Sequence, residues 1–121
     1  MIGIGVDVVD IERFRTSLAR TPSMRTRLFT PVELAYVEPQ ADPVPSLAAR
    51  FAAREGVMKA LGLGLGAFGF HDVWVDRAGS GAPHLEFTGR AAELAAEAGV
   101  TRWHLSLTHS DLVAVAYVVA E

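Results

Sequence analysis

The sequence predicts an α+β domain in which a mostly antiparallel sheet packs against one long helix and several shorter ones. Three observations predict it. Ile2 to Ile11 is rich in Val and Ile and reads as a buried strand. From Ser46 to about Leu61 the chain is largely apolar, and Leu47, Phe51, Met58 and Leu61 fall on one stripe at about 100° per residue. Trp103 to Thr108 alternates as a strand, and Leu112 to Val119 follows as an apolar strand after a tight turn.

The intervening elements follow from local chemistry. Glu12 to Ala19 reads as a short helix broken by Thr21-Pro22-Ser23, and Met24 to Phe29 as a further helical turn. Thr30-Pro31-Val32-Glu33 is a helix start, with a threonine cap, proline at the first position and glutamate at the third. That helix ends before Pro39, and Gln40 to Pro45 is a loop. Ser46 is the expected cap of the long helix. Gly62 to Gly69 is a glycine-rich loop. Asp72 to Asp76 and His84 to Phe87 form a hairpin around a turn at Ala78 to Pro83. Gly89 to Ala98 is an alanine-rich helix closed by Gly99.

Length and composition narrow the function classes. At 121 residues the chain is one domain, 1–121. Hydrophobic residues make up 50%, a surplus that a subunit interface would absorb. A net charge of -3 gives no general attraction to nucleic acid. With no cysteine there is no disulfide, thiolate metal site or cysteine nucleophile. The start lacks a signal-peptide pattern, and no apolar run is long enough to span a bilayer. The cytoplasm is the expected compartment, with no membrane partner.

Two carboxylates sit where carboxylates are costly. Asp7 lies in the first strand, with Gly3, Gly5 and Val9 on its face, and Glu55 lies beside the apolar stripe of the long helix. Asp7 either faces solvent at a sheet edge or binds a metal. Glu55 either pairs with Lys59 or Arg54 or joins Asp7 at an ion. Two isolated carboxylates suit Mg²⁺, which keeps waters and shares its shell with phosphates. Backbone N–H groups of Gly62, Gly64 and Gly66 could approach a pyrophosphate, or the loop is simply a helix cap and connection. Ser106, His109 and Asp111 raise the alternative of a hydrolase triad; the turn there otherwise uses Ser110 and Asp111 to bond backbone. Arg13, Arg15, Arg20, Arg25 and Arg27 form either a solvated face or a docking patch for an acidic protein.

Taken together, these pieces resemble the holo-[acyl-carrier-protein] synthase family of the 4'-phosphopantetheinyl transferase superfamily. Gly5-Val6-Asp7-Val8-Val9 with Glu12-Arg13-Phe14 is similar to its first motif, and Phe29-Thr30-Pro31-Val32-Glu33 to its second. Arg50-Phe51-Ala52-Ala53-Arg54-Glu55-Gly56-Val57-Met58-Lys59-Ala60-Leu61-Gly62 is similar to its central motif, and Trp103 to Ser110 to its last. Order and spacing of all four match. Arg54 stands where the family usually has lysine, and Gly56 where it usually has alanine.

The resemblance implies a Mg²⁺-dependent transferase. It moves the 4'-phosphopantetheine arm of coenzyme A, a substrate, onto a serine of apo acyl carrier protein. Adenosine 3',5'-bisphosphate is released, and the reaction supports fatty acid biosynthesis. By position, Asp7 and Glu55 hold the metal, Lys59 contacts the phosphates, and Glu55, directly or through a metal-bound water, is the candidate base. Arg13 contacts the carrier protein. Arg50 and His109 are the candidates for gripping the adenine and 3'-phosphate. The family forms trimers with coenzyme A between subunits. The alternatives are a noncatalytic module binding coenzyme A or another nucleotide, a small hydrolase using Ser106 and His109, and a plain oligomeric scaffold.

Overall fold

In a computed structural model, which describes residues 1–77 and 81–121, the chain is α+β as expected. Strand β1 (Gly3–Asp10) leads into helices α1 (Ile11–Arg20), α2 (Met24–Leu28) and α3 (Pro31–Val37). The long helix α4 (Val44–Ala60) follows, then a 3₁₀ turn (Phe70–Asp72), strands β2 (Val73–Asp76) and β3 (His84–Phe87), and α5 (Gly89–Glu97). Strands β4 (Trp103–His109) and β5 (Val113–Ala120) complete the chain. Two antiparallel sheets result, a three-stranded one in the order β1-β5-β4 and the β2-β3 hairpin. Part of the expected turn at Ala78 to Pro83 lies outside the described residues. Among the described residues no helix is long and apolar enough to cross a membrane.

The central contact is α4 lying directly on β1 and β5. A methyl at Gly3 would come within 1.9 Å of the Ala60 carbonyl oxygen, and one at Gly5 within 1.9 Å of the Gly56 carbonyl oxygen. Only glycine allows strand and helix backbones to approach this closely. Gly56 closes the same contact from the helix side, where a methyl would sit 2.8 Å from Val118 Cγ2. The roughly 1 kcal/mol that glycine costs a helix relative to alanine is therefore offset by close packing. Ala48, Ala52, Ala53 and Val57 are buried along with Leu47 and Met58, so α4 is enclosed on several sides. The single stripe read from the sequence was too narrow.

The start of α4 also differs from expectation. It begins at Val44, two residues before Ser46, with Pro43 at the cap position and no side-chain cap. Asp42 Oδ1 accepts a hydrogen bond from the Val44 N–H at 3.2 Å, and Pro45 is tolerated because first-turn N–H groups have no intrahelical partner. Ser46, now inside the helix, donates to Gln40 Oε1 at 2.9 Å. The expected capping box at α3 is present, with Thr30 and Glu33 bonded reciprocally. β1 is buried on one face only. Ile4, Val6 and Val8 point away from α4 and are 47%, 47% and 58% exposed, beside Tyr117 at 46%. This apolar outer sheet face is where the compositional surplus lies.

One ion pair ties α3, α4, the 3₁₀ turn and β2 together. Arg54 and Glu33 are fully buried and bonded through both carboxylate oxygens. Arg54 also donates to the carbonyls of Phe70 (2.8 Å) and Arg50 (3.1 Å), and Glu33 accepts from the N–H groups of Thr30 and Val75 (both 3.0 Å). The planar guanidinium satisfies four acceptors, more than the three donors of a lysine ammonium. Removing either partner leaves a buried charge alone. Arg54→Ala and Glu33→Ala should each lose about 3–5 kcal/mol in denaturant unfolding, and Arg54→Lys less. A loss under about 1 kcal/mol in the alanine variants would contradict this account.

Candidate functional site

Asp7, Glu55 and Lys59 converge where β1 crosses α4. Asp7 is on the strand face turned to the helix, and its side chain is 17% exposed. Although β1 is an edge strand, Asp7 does not face open solvent. Lys59 Nζ donates to Asp7 Oδ1 and to the Val6 carbonyl, both at 3.0 Å. Lys59 therefore turns to the strand and forms no ion pair with Glu55. Arg54 is engaged with Glu33 on another side of the helix. Among the described residues Glu55 has no ion-pair partner, so neither helix-internal pairing considered from the sequence forms.

The electrostatics of Glu55 follow from that position. Burial, and next the negative charge of Asp7, push its pKa above the ordinary glutamate value, while Lys59 pulls it partly back. Two carboxylates held together against only one ammonium leave a net negative, all-oxygen site. This donor chemistry fits a hard divalent cation such as Mg²⁺.

A second locus forms on a different side of α4. Arg50 and His109 are brought together in a cavity of about 120 Å³, also lined by Arg77 and Thr108. Arg50 is 3% exposed, donates to the Ser46 carbonyl at 3.1 Å and lies 4.7 Å from the Tyr36 ring centroid. Among the described residues its Nε has no hydrogen-bond partner. Burial lowers its pKa; Glu33 and Tyr36 oppose this, while Arg77, itself 5.9 Å from the Tyr36 centroid, lowers it further. An orphaned buried N–H beside a second guanidinium is costly in isolation and suits an anion. Arg77 and Thr108 had no sequence signal apart from Thr108 lying next to His109.

The glycine loop divides. Gly62 has φ 69° and ends α4, its N–H bonded to the Lys59 carbonyl while the Leu63 N–H reaches Met58, a Schellman cap. That N–H is engaged by the helix, which removes the expected role for Gly62 as a backbone donor to a pyrophosphate. Gly64 and Gly66 (φ 91°) have open space beside them. The hydrolase alternative fails on geometry. Ser106 pairs with Tyr117 on the outer sheet face, whereas His109, an odd number of residues away, lies on the face toward Arg50. Ser110 Oγ accepts from the N–H groups of Leu112 and Val113, the Ser110 half of the turn reading.

Arg13 is exposed at the rim of a groove of about 310 Å³ that includes Val8, Phe14, Met24 and Phe51. Phe51, which lines the groove, lies one helical turn before Glu55, and Val8 lies next to Asp7 in β1. Arg15 is held by Asp42 (2.8 and 2.9 Å) and Glu12, whereas Arg13, Arg20, Arg25 and Arg27 carry no ion pair among the described residues.

Comparison with known proteins gives a consistent result. A model of the 4'-phosphopantetheinyl transferase superfamily matches residues 3–118. The chain is 48% identical to a holo-[acyl-carrier-protein] synthase of Micrococcus luteus, covering 100% of this chain and 92% of that one. Its fold is similar to the crystal structure of holo-[acyl-carrier-protein] synthase from Neisseria meningitidis, with a TM-score of 0.90, 32% identity, and 100% and 98% of the two chains covered. It is also similar to the Bacillus anthracis enzyme in complex with coenzyme A (3',5'-ADP), with a TM-score of 0.81, 30% identity, and 99% and 96% covered.

The raised pKa of Glu55 yields a pH prediction. A carboxylate whose folded pKa lies above its unfolded value adds no penalty below the unfolded value of 4.5. Its penalty grows as pH rises toward the raised folded value. Glu55→Gln should therefore raise the melting temperature at neutral pH in metal-free buffer and leave it nearly unchanged below the unfolded value. Added Mg²⁺ should stabilise the wild type but not Glu55→Gln. Equal stabilisation of both by Mg²⁺ would count against Glu55 as a ligand.

Proposed function

The chain belongs to the 4'-phosphopantetheinyl transferase superfamily, and from that premise we propose how it transfers the 4'-phosphopantetheine arm of coenzyme A to a serine of apo acyl carrier protein. The observation that carries the mechanism is the convergence of Asp7 and Glu55 across the β1–α4 contact, with Lys59 beside them. Asp7 and Glu55 would hold Mg²⁺. When bound, the ion supplies charge neutralisation at the coenzyme A pyrophosphate and orients the leaving group. Lys59 is 54% exposed and adds its charge to the phosphate oxygens where negative charge develops. Glu55, directly or through a water, takes the proton from the attacking serine hydroxyl. The serine oxygen bonds to the phosphorus of the pantetheine phosphate. The bond from that phosphorus to the bridging oxygen breaks, and adenosine 3',5'-bisphosphate leaves.

We assign the 3'-phosphate and adenine end of coenzyme A to the cavity of Arg50 and His109, with Arg77 alongside. Arg50 precedes Glu55 by five residues, which turns it about 140° around the helix. The two loci of one chain thus face different directions. This suits a site shared between subunits, and in the homotrimer that the resemblance implies the exposed Ile4, Val6, Val8 and Tyr117 offer the apolar surface. Arg13, with Arg20, Arg25 and Arg27, meets the acidic carrier protein, and the adjoining groove leads its serine toward Glu55. Gly64 and Gly66 are the loop positions left to approach the pyrophosphate. On this reading the reaction serves fatty acid biosynthesis in the cytoplasm.

The decisive experiment incubates the protein with coenzyme A, Mg²⁺ and an apo carrier protein, then weighs the carrier. A gain of one phosphopantetheine is expected, and Asp7→Ala or Glu55→Ala should abolish it while circular dichroism stays native. Full activity of either variant, or activity undiminished by excess chelator, rules out the metal assignment.

Two further substitutions separate the subsites. Lys59→Ala should lower kcat/KM by roughly 10²-fold. Arg13→Glu should raise KM for the carrier protein with little change for coenzyme A; equal changes in both would indicate a structural role instead.

A further inference from the structure

The β2-β3 hairpin carries a second set of metal-ligating side chains, away from the Asp7–Glu55 site. The register places Asp76 opposite His84 and Trp74 opposite Glu86. Cross-strand partners and residues two apart share a face, so Trp74, Asp76, His84 and Glu86 all lie on the same side of the ribbon. The other side, Val73, Val75, Leu85 and Phe87, packs into the core. One ligand atom from each of Asp76, His84 and Glu86 lies within 4.8 Å of the other two. His84 Nε2 and Glu86 Oε1 are already 3.0 Å apart. Around a tetrahedral ion with bonds of about 2.0–2.1 Å, ligand atoms stand roughly 3.4 Å apart. The closure required is therefore small, and the half-exposed His84 and Glu86 have room to make it.

The donor set is one imidazole nitrogen and two carboxylates from two strands, not a patch of acids. Imidazole selects against Mg²⁺ and toward zinc-class ions. The neighbouring Arg77 lines the cavity with Arg50 and lies near Tyr36. We propose that Asp76, His84 and Glu86 form a binding site for a divalent transition metal of the zinc class. The ion would bridge β2 and β3 and clamp a two-stranded ribbon, which is marginal by itself. The remaining coordination positions open to solvent. The proposal does not depend on the assignment of Asp7 and Glu55.

The test is calorimetric titration of the full chain with Zn²⁺ in a large excess of Mg²⁺, alongside thermal melts. One Zn²⁺ per chain is expected, with a rise in melting temperature. Loss of an outer-shell partner alone typically weakens metal binding 10–100-fold, so His84→Ala and Glu86→Gln should each weaken Zn²⁺ by at least about tenfold. Asp7→Asn should leave the titration unchanged. If His84→Ala fails to fold, Glu86→Gln decides, since it removes one ligand charge at a half-exposed position. No heat at millimolar Zn²⁺, binding unaltered in the folded hairpin variants, or binding lost in Asp7→Asn would overturn the proposal.

Discussion

The backbone-to-backbone contact between β1 and α4 is the constraint on which the site depends. Gly3 and Gly5 on the strand, and Gly56 on the helix, remove the side chains that would otherwise separate the two elements. Asp7 follows Gly5 by two residues and so shares its face; Glu55 precedes Gly56. Each carboxylate is therefore carried to the crossing by a glycine within two residues of it that makes the crossing possible. Any larger side chain at Gly3 or Gly5 meets a carbonyl oxygen of the helix, which cannot rotate away as a flexible side chain would. The sheet adds rigidity, because β1 is paired along its length with β5, whose Ala114, Ala116 and Ala120 also let the helix sit close.

Adjacent residues in α4 have opposite electrostatic fates. Arg54 points inward and is neutralised by Glu33 within a network that joins four elements. Glu55, the next residue, is half-buried beside another carboxylate and lacks an ion pair among the described residues. A buried pair with every acceptor satisfied adds rigidity but little net stability. An acidic pair only partly compensated by Lys59 adds a standing repulsion that a further cation relieves. The first arrangement holds α4 in place, and the second gives that fixed helix an affinity for positive charge. Fixing the helix matters because a site made from two elements is only as well defined as their relative position.

Much of this was legible beforehand. Strands and helices followed from periodicity, and the cap at Thr30 from residues that satisfy free N–H groups in a fixed pattern. Asp7 and Glu55 stood out as charges in apolar settings, a signal that survives without coordinates. The start of α4 was misplaced because Ser46 resembles a cap, while Asp42 performs that role from outside the proline pair. The Glu33–Arg54 pair was not foreseen, since its partners are 21 residues apart and Glu33 already had a local explanation in the capping box. The cavity around Arg50 was half read. Arg50 and His109 were candidates, but Arg77 comes from the hairpin, and its arrival beside Tyr36 depends on tertiary packing that no local pattern encodes.

Charge separation within the chain bears on what it selects. An acidic pair and a cluster of guanidiniums would cancel if they met. Here α4 keeps them apart, with Glu55 turned toward β1 and Arg50 toward Tyr36 and the end of β4. On the proposed assignment, a ligand that offers only a phosphate meets the cationic cavity alone, and free Mg²⁺ meets the acidic pair alone. On the proposed reading, coenzyme A offers a metal-chelating diphosphate at one place and a separate phosphate at another, so it engages both. The two contributions reinforce each other only in a molecule that carries both groups at the right separation. Discrimination then comes from spacing as well as from charge. If one ligand spans loci that face different directions on a single helix, the outer sheet face of Ile4, Val6, Val8 and Tyr117 becomes part of the recognition apparatus, because it sets how a neighbouring copy presents its half.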